Sequence, residues 1–92
     1  MQKYIWETPE EITMIVSNHT KKLRKRLKIS RRKLSEMSGV SYGSIKRFEE
    51  TGNISLLSLT KIAMALDVSG DIKNIFAEVP YKSIQEVMNE QK

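Results

Sequence analysis

The sequence of 92 residues contains no cysteine and a single histidine, and this scarcity excludes several kinds of site. Without cysteine there is no disulfide and no thiolate for a metal or a substrate, which fits a reducing compartment. The histidine, His19, falls on the apolar stripe of a predicted helix, which favours a structural role over that of a base or a ligand. We therefore expect no metal site and no cofactor.

Carboxylate pairs suited to acid-base catalysis are also missing. Glu10 with Glu11, and Glu49 with Glu50, are neighbours in the sequence and do not share one helix face. Helix capping and solvation explain these pairs better than catalysis does. Because the chain also lacks a glycine-rich phosphate loop, we expect that it is not an enzyme.

Long apolar runs are absent. No stretch reaches the roughly 18 consecutive apolar residues that a membrane span needs. The opening residues MQKYIWETPEE do not contain the apolar core of a signal peptide. We expect a cytoplasmic protein without a membrane partner.

Acidic residues are missing from one stretch, 21–33, which holds nine of the sixteen basic residues. They are Lys21, Lys22, Arg24, Lys25, Arg26, Lys28, Arg31, Arg32 and Lys33. This basic segment carries +9, whereas the residues before it and after it each sum to −2. Positive charge concentrated on an otherwise acidic body is typical of a protein that binds phosphate, and a solvated helix face is the alternative.

Helix-start signals predict an all-α chain whose first helix begins after Thr8. Pro9 suits the first helical position, and Glu11 completes a capping box with Thr8. The apolar stripe of this helix is predicted to be Ile12, Ile15, Val16, His19, Leu23 and Leu27.

Two short helices are predicted next, over 31–38 and 42–50, with Ser30 and Ser41 as their N-caps. Gly39 lies where the first of them ends and the chain must turn sharply. Leu34 and Met37 share one face of the first helix, and Ile45 and Phe48 share the inner face of the second. Val40 closes the turn, and Ser35 is small enough for the second helix to cross closely.

A fourth and a fifth helix complete the expected fold. Ser55 caps the fourth, and its inward residues are predicted to be Leu59, Ile62, Ala63 and Leu66. Ile72, Ile75 and Phe76 indicate the fifth. After Pro80, residues Ile84, Val87 and Met88 have helical spacing, but a helix of about twelve residues does not hold alone in water.

The segments LRKRLKISRRKLSEMSGVSYGSIKRFEETG and SLLSLTKIAMALDV resemble the Cro and lambda-repressor-like, or Xre, family of helix-turn-helix proteins. The resemblance covers roughly residues 10–77. It implies a compact five-helix DNA-binding domain over 1–79, followed by an extension over 80–92. It also implies a two-fold homodimer on a palindromic double-stranded DNA operator, with reading helices one turn, roughly 34 Å, apart.

Site residues follow from this resemblance and from the outward positions of the helices. Base contacts are expected from Tyr42, Gly43, Ser44, Lys46 and Arg47 on the third helix. For Tyr42, Lys46 and Arg47, contact with phosphate is the alternative. Phosphate contacts are expected from Arg31, Arg32, Lys33, Ser41, Lys25 and Lys28. Dimer contacts are expected from Ile72, Ile75, Phe76, Val79 and Tyr81, with burial inside the monomer as the alternative.

Two features of the chain depart from the family. Where a glutamine and then acids often begin the second helix, this chain has Arg31, Arg32 and Lys33. Each cation opposes the helix dipole there by about 0.3–1 kcal/mol, so we expect an anion to lie at that helix end. Gly43 costs about 1 kcal/mol relative to alanine inside a helix, which suggests that it permits close approach of the backbone.

The favoured function is a transcriptional regulator, usually a repressor. The alternative is a HipB-like antitoxin that represses its own operon and binds a toxin through the segment after Pro80. A basic amphipathic binder of a membrane or an acidic partner would need only residues 21–28, but it leaves the caps and the turn glycine unexplained.

Overall fold

The computed structural model describes residues 7–78, which contain five helices and no strand. The helices are α1 (Pro9–Arg26), α2 (Arg31–Ser38), α3 (Tyr42–Thr51), α4 (Leu56–Ala65) and α5 (Ser69–Lys73). The all-α prediction and the five-helix order are confirmed. Trp6, Val79, Tyr81 and the rest of 1–6 and 79–92 lie outside the described residues.

Hydroxyl side chains begin the first four helices, as the sequence predicts. Thr8, Ser30, Ser41 and Ser55 each accept a hydrogen bond from the backbone amide three residues later. The Glu11 carboxylate also accepts from the Thr8 amide at 2.9 Å, which completes the capping box. Each such cap contributes about 1 kcal/mol to helix stability.

The apolar core lies between α2, α3 and α4. Its fully buried members are Leu34, Val40, Ile45, Phe48, Ile62 and Leu66. Burying each of these side chains stabilises the fold by about 1.5–3 kcal/mol before chain entropy is counted. In this arrangement α3 packs on both α1 and α2, while α4 packs on α2 and α5.

The predicted apolar stripe of α1 is wrong at all of its positions except the half-buried Leu23. The other five residues are exposed: Ile12, Ile15, Val16, His19 and Leu27. The buried residues of α1 are polar instead: Ser17 and Arg24. The Ser17 hydroxyl donates to the Phe48 carbonyl of α3 at 2.7 Å. The apolar residues are exposed because α1 packs mainly on α3, so only a narrow strip of the α1 surface is covered.

The end of the fold also differs from expectation. Helix α5 has no side-chain N-cap and stops at Lys73, so Ile75 and Phe76 lie in the turn after it. Phe76 is 95% exposed and has a positive φ of 59°. Met37 is likewise exposed and does not share the burial of Leu34.

Two glycines end α2 and α3 in the left-handed conformation, with φ of 77° at Gly39 and 82° at Gly52. Their surroundings differ. A Cβ at Gly39 would meet nothing within 4 Å, whereas one at Gly52 would lie 2.8 Å from the Thr13 Oγ1 and 3.1 Å from the Thr13 carbonyl carbon. Gly39 is therefore needed for conformation, and Gly52 for conformation and for the close approach of α1.

This difference predicts unequal effects of alanine at the two turns. Gly39→Ala should lower the free energy of unfolding by about 1 kcal/mol, the cost of a left-handed residue. Gly52→Ala should lower it by at least about 1 kcal/mol more, because α1 has to shift away as well. Urea unfolding followed by circular dichroism measures both. Equal losses would contradict the close packing of α1 on Gly52.

Candidate nucleic-acid interface

One face of α3 is open to solvent along its whole length. Its exposed residues include Tyr42, Gly43, Ser44, Lys46 and Arg47, the five expected to contact bases, and the last two residues of the helix are exposed as well. The opposite face carries the buried Ile45, Phe48 and Glu49. The amphipathic pattern has therefore oriented α3 as the sequence predicts.

The start of α2 lies beside the start of α3. Arg24, Ser30, Arg31, Arg32 and Tyr42 together line a shallow open depression at this place. The Arg32 guanidinium carbon lies 5.3 Å from the centre of the Tyr42 ring, which is cation–π distance. Basic side chains of α2 thus border the exposed face of α3.

The start of α4 borders the same face further along. Ser44 and Arg47 of α3 line a second depression with Asn53, Ser55 and Ser58. Asn53 and Ser55 are exposed and were not among the predicted contacts. The sequence signal was the break after Gly52, which places the N-cap of α4 only a few residues from the exposed face of α3.

Small groups dominate the first turn of α3. The Ser41 hydroxyl accepts from the Ser44 amide at 3.1 Å and donates to the Ser44 hydroxyl at 2.9 Å. This leaves the Ser44 hydroxyl proton free to donate outward. A Cβ at Gly43 would meet nothing within 4 Å, so no protein atom requires glycine there.

A buried carboxylate, Glu49, joins three helices behind this face. Arg24 donates to it twice, from Nε at 2.7 Å and from Nη2 at 3.0 Å, and its Nη1 donates to the Ile29 carbonyl at 2.7 Å. The side chains of Arg24 and Glu49 are 8% and 1% exposed. The expected solvation of Glu49 is therefore wrong, and Arg24 is withdrawn from the surface of the basic segment.

Arg31 also belongs to this cluster, since its Nε donates to the Glu49 Oε1 at 2.9 Å. The anion expected at the start of α2 is thus supplied by α3 itself. The Arg32 guanidinium lies over the Tyr42 ring. The Lys33 Nζ lies 4.0 Å from the carboxylate of the exposed Glu36, which is a weak contact in water. Phosphate contact by these three residues stays a prediction, with a protein partner now known for each.

The cluster shifts the pKa of Glu49 and the pKa of Arg31. Burial alone would raise the pKa of Glu49, but hydrogen bonds from Arg24 and Arg31 outweigh burial and lower it below its ordinary value. The bond to Glu49 raises the pKa of Arg31, burial opposes this, and a hydrogen bond with Tyr42 adds to the rise. Glu49 and Arg31 are therefore both charged at neutral pH.

The remaining expected phosphate contacts are at the surface. Lys25 is exposed in the last turn of α1, and Lys28 is exposed in the turn that follows. Lys28 has a φ of 61°, and the Ile29 amide donates back to the Arg24 carbonyl. This backbone turn ends α1 and directs the chain toward the start of α2.

A comparison with protein families supports the same conclusion as the geometry. The family model described as Helix-turn-helix, HTH_3, matches residues 21–73. The chain belongs to this family. The match contains the basic segment, α2, α3 and α4, and the chain is a DNA-binding helix-turn-helix regulator of the Xre and lambda-repressor-like type. No curated protein and no solved structure matches it.

Residues 7–78 contain neither a metal-binding cluster nor a membrane-spanning helix. Within this range no three His, Asp or Glu side chains come together in a way that could hold a metal ion. Nor does any helix there combine the length and apolarity that crossing a membrane requires. Of the expected dimer residues, Ile72 is half-buried and Ile75 and Phe76 are exposed, while Val79 and Tyr81 lie outside the described range.

Replacing the central carboxylate tests the cluster. Glu49→Gln keeps the shape but removes the charge between two arginines, so the free energy of unfolding should fall by about 3 kcal/mol at neutral pH. The lowered pKa means that this contribution is complete above the ordinary value of 4.5 and disappears as pH falls through the lower folded value. The wild type and the variant should then converge in acid, because a protonated Glu49 resembles glutamine.

Denaturant unfolding at a series of pH values measures this difference. Glu50→Gln is the matched control. Because Glu50 is exposed, this variant should unfold at nearly the same denaturant concentration as the wild type. A constant gap between wild type and Glu49→Gln down to the lowest pH would contradict the ion-pair account.

Proposed function

We propose that this regulator is a sequence-specific repressor that reads the major groove of double-stranded DNA with α3. The observation that carries the proposal is the setting of the exposed α3 face, which the starts of α2 and α4 border on either side. Helix starts present free amides and a partial positive charge, which suits phosphates on both rims of a groove. The exposed α3 residues then face the base edges between the two rims.

Roles can be divided between bases and backbone. Lys46 and Arg47 are proposed to reach guanine, and Tyr42 and Ser44 to contact bases near the start of α3. The proposed phosphate contacts are Arg32, Lys33, Ser41, Lys25 and Lys28. We add Asn53 and Ser55 to this proposal, because they line a depression together with Ser44 and Arg47. Arg31 has less freedom, because Glu49 holds its Nε, and its proposed phosphate contact uses the other guanidinium nitrogens.

A homodimer on a palindromic operator is part of the proposal. Phe76 is the strongest described candidate for the contact, because an almost fully exposed phenylalanine in a left-handed turn is costly unless a partner covers it. The antitoxin alternative depends on residues 80–92, which lie outside the described range, and stays a prediction.

Selection of duplexes from a random pool at near-physiological salt tests DNA reading. The expected result is a palindromic winner that binds at least about a thousandfold tighter than a scrambled duplex. Arg47→Ala should relax preference at one base position per half-site. Lys33→Ala should weaken all sequences alike and reduce the salt slope by about 1. No enrichment, or equal effects of both variants on all duplexes, would contradict base reading by α3.

A substitution at Gly43 should change protein stability and DNA affinity in opposite directions. Gly43→Ala should raise the free energy of unfolding by up to about 1 kcal/mol, since the helix gains an alanine in open space. If the DNA backbone or bases approach α3 closely, the same variant should lose at least about tenfold in operator affinity. Gly70→Ala is the control. A Cβ at Gly70 also meets open space, but Gly70 lies in α5, away from the proposed DNA contacts, so this variant should keep its operator affinity. Unchanged affinity of Gly43→Ala would contradict close approach.

A further inference from the structure

Two arginines at the start of α2 contact the side chain of Tyr42. The Arg32 guanidinium carbon lies 5.3 Å from the centre of the ring, within cation–π distance. Arg31 lines the same depression, and a hydrogen bond with the Tyr42 side chain contributes to its raised pKa. Because the hydroxyl is the only polar group of a tyrosine side chain, the hydroxyl end of the ring is directed toward Arg31.

Arg32 differs from its two neighbours in the basic segment by the kind of partner it has. Arg31 and Lys33 each have a carboxylate within 4.0 Å. In the described part of the chain no carboxylate pairs with Arg32. A cation in the first turn of a helix opposes the helix dipole, so helix stability does not explain an arginine at this position. The contact that the structure gives to Arg32 is the Tyr42 ring.

The contact restricts a side chain on the exposed face of α3. Tyr42 is the first residue of α3, and the first residues of a recognition helix usually contact base edges. It is 40% exposed, so part of the ring is open to a DNA partner. Since the hydroxyl end is directed toward Arg31, the open part is hydrocarbon, which suits the 5-methyl group of thymine in the major groove. A ring that is already ordered loses less conformational entropy on binding.

We propose that Tyr42 recognises the 5-methyl group of a thymine, and that Arg32 is a positioning residue that holds the ring in the orientation this contact needs. The inference rests on the proposed reading of the major groove by α3. It gives Arg32 an influence on base preference without contact with a base. A lysine at this position keeps the charge but loses the planar guanidinium that stacks on the ring.

Removal of single methyl groups from the DNA tests the thymine contact. In the duplex selected from the random pool, each thymine is replaced in turn by uracil, which lacks only the 5-methyl group. Binding of the full-length protein should weaken by about fourfold at one position in each half-site, the effect of one buried methyl-sized group. No loss at any position in the wild type, as expected if Tyr42 contacts phosphate instead, would overturn the proposal.

Three variants separate positioning from phosphate contact. In Tyr42→Ala the loss caused by uracil should disappear, and in Arg32→Lys it should fall to about twofold with the salt slope unchanged. Lys33→Ala is the control, because it should weaken binding to the thymine and uracil duplexes alike. All three residues are exposed, so the variants should keep the fold. A full uracil effect in Arg32→Lys or in Tyr42→Ala would overturn the proposal.

Order of the ring can be measured without DNA, which separates this proposal from the function on which it rests. In the free full-length protein, the three-bond couplings between Hα and Hβ of Tyr42 should report a single χ1 rotamer. Arg32→Gln should average these couplings, and Lys33→Gln should not. A rotamer that stays fixed in Arg32→Gln would overturn the positioning role, even if Arg47→Ala relaxes base preference. Failure of the random pool to yield any preferred duplex would contradict groove reading by α3, and the thymine contact with it, whatever the order of the ring.

Discussion

The buried Glu49 carboxylate is the constraint on which the rest of the structure depends. It lies on the inner face of α3 and binds Arg24 of α1 and Arg31 of α2, so one side chain fixes the mutual position of three helices. A buried charge is tolerated only when its partners are held in good geometry. The two arginines meet that condition through direct hydrogen bonds, and Arg24 also binds the Ile29 carbonyl. The orientation of the exposed face of α3 relative to α2 follows from this cluster.

The same cluster changes how the basic segment should be interpreted. Nine cations over 21–33 indicate a phosphate-binding surface, but two of them have internal roles. Arg24 is buried, and Arg31 divides its guanidinium between Glu49 and solvent. Two positive charges near α3, those of Arg24 and Arg31, therefore hold this helix in place, and the remaining charges of the basic segment attract a polyanion. For this reason the position where the family often has glutamine carries an arginine that local helix energetics alone would disfavour.

The starts of α1 to α4 could be read from the sequence because each depends on local chemistry, whereas α5 has no side-chain cap and its extent could not. The N-caps bind the amide three residues later, and they are Thr8, Ser30, Ser41 and Ser55. The two glycines that end helices, Gly39 and Gly52, bind the carbonyl four residues earlier. Contacts between distant residues could not be read in this way. Glu49 next to Glu50 looks like a solvated acidic pair until the fold brings Arg24 beside it, 25 residues away. The exposure of Ile12 and Ile15 likewise follows from the packing of α1 mainly on α3, which helical spacing does not specify.

The attachment of α1 has a consequence for how the molecule opens. The fully buried residues of α1 are Ser17 and Arg24, so polar contacts rather than deep apolar packing hold much of this helix in place. Apolar association weakens on cooling and in urea, whereas an arginine–carboxylate pair is most sensitive to ions that compete for the carboxylate. Guanidinium is such a competitor. Partial opening in guanidinium chloride should therefore begin at the first helix, ahead of the apolar core, while urea should act on the whole domain together.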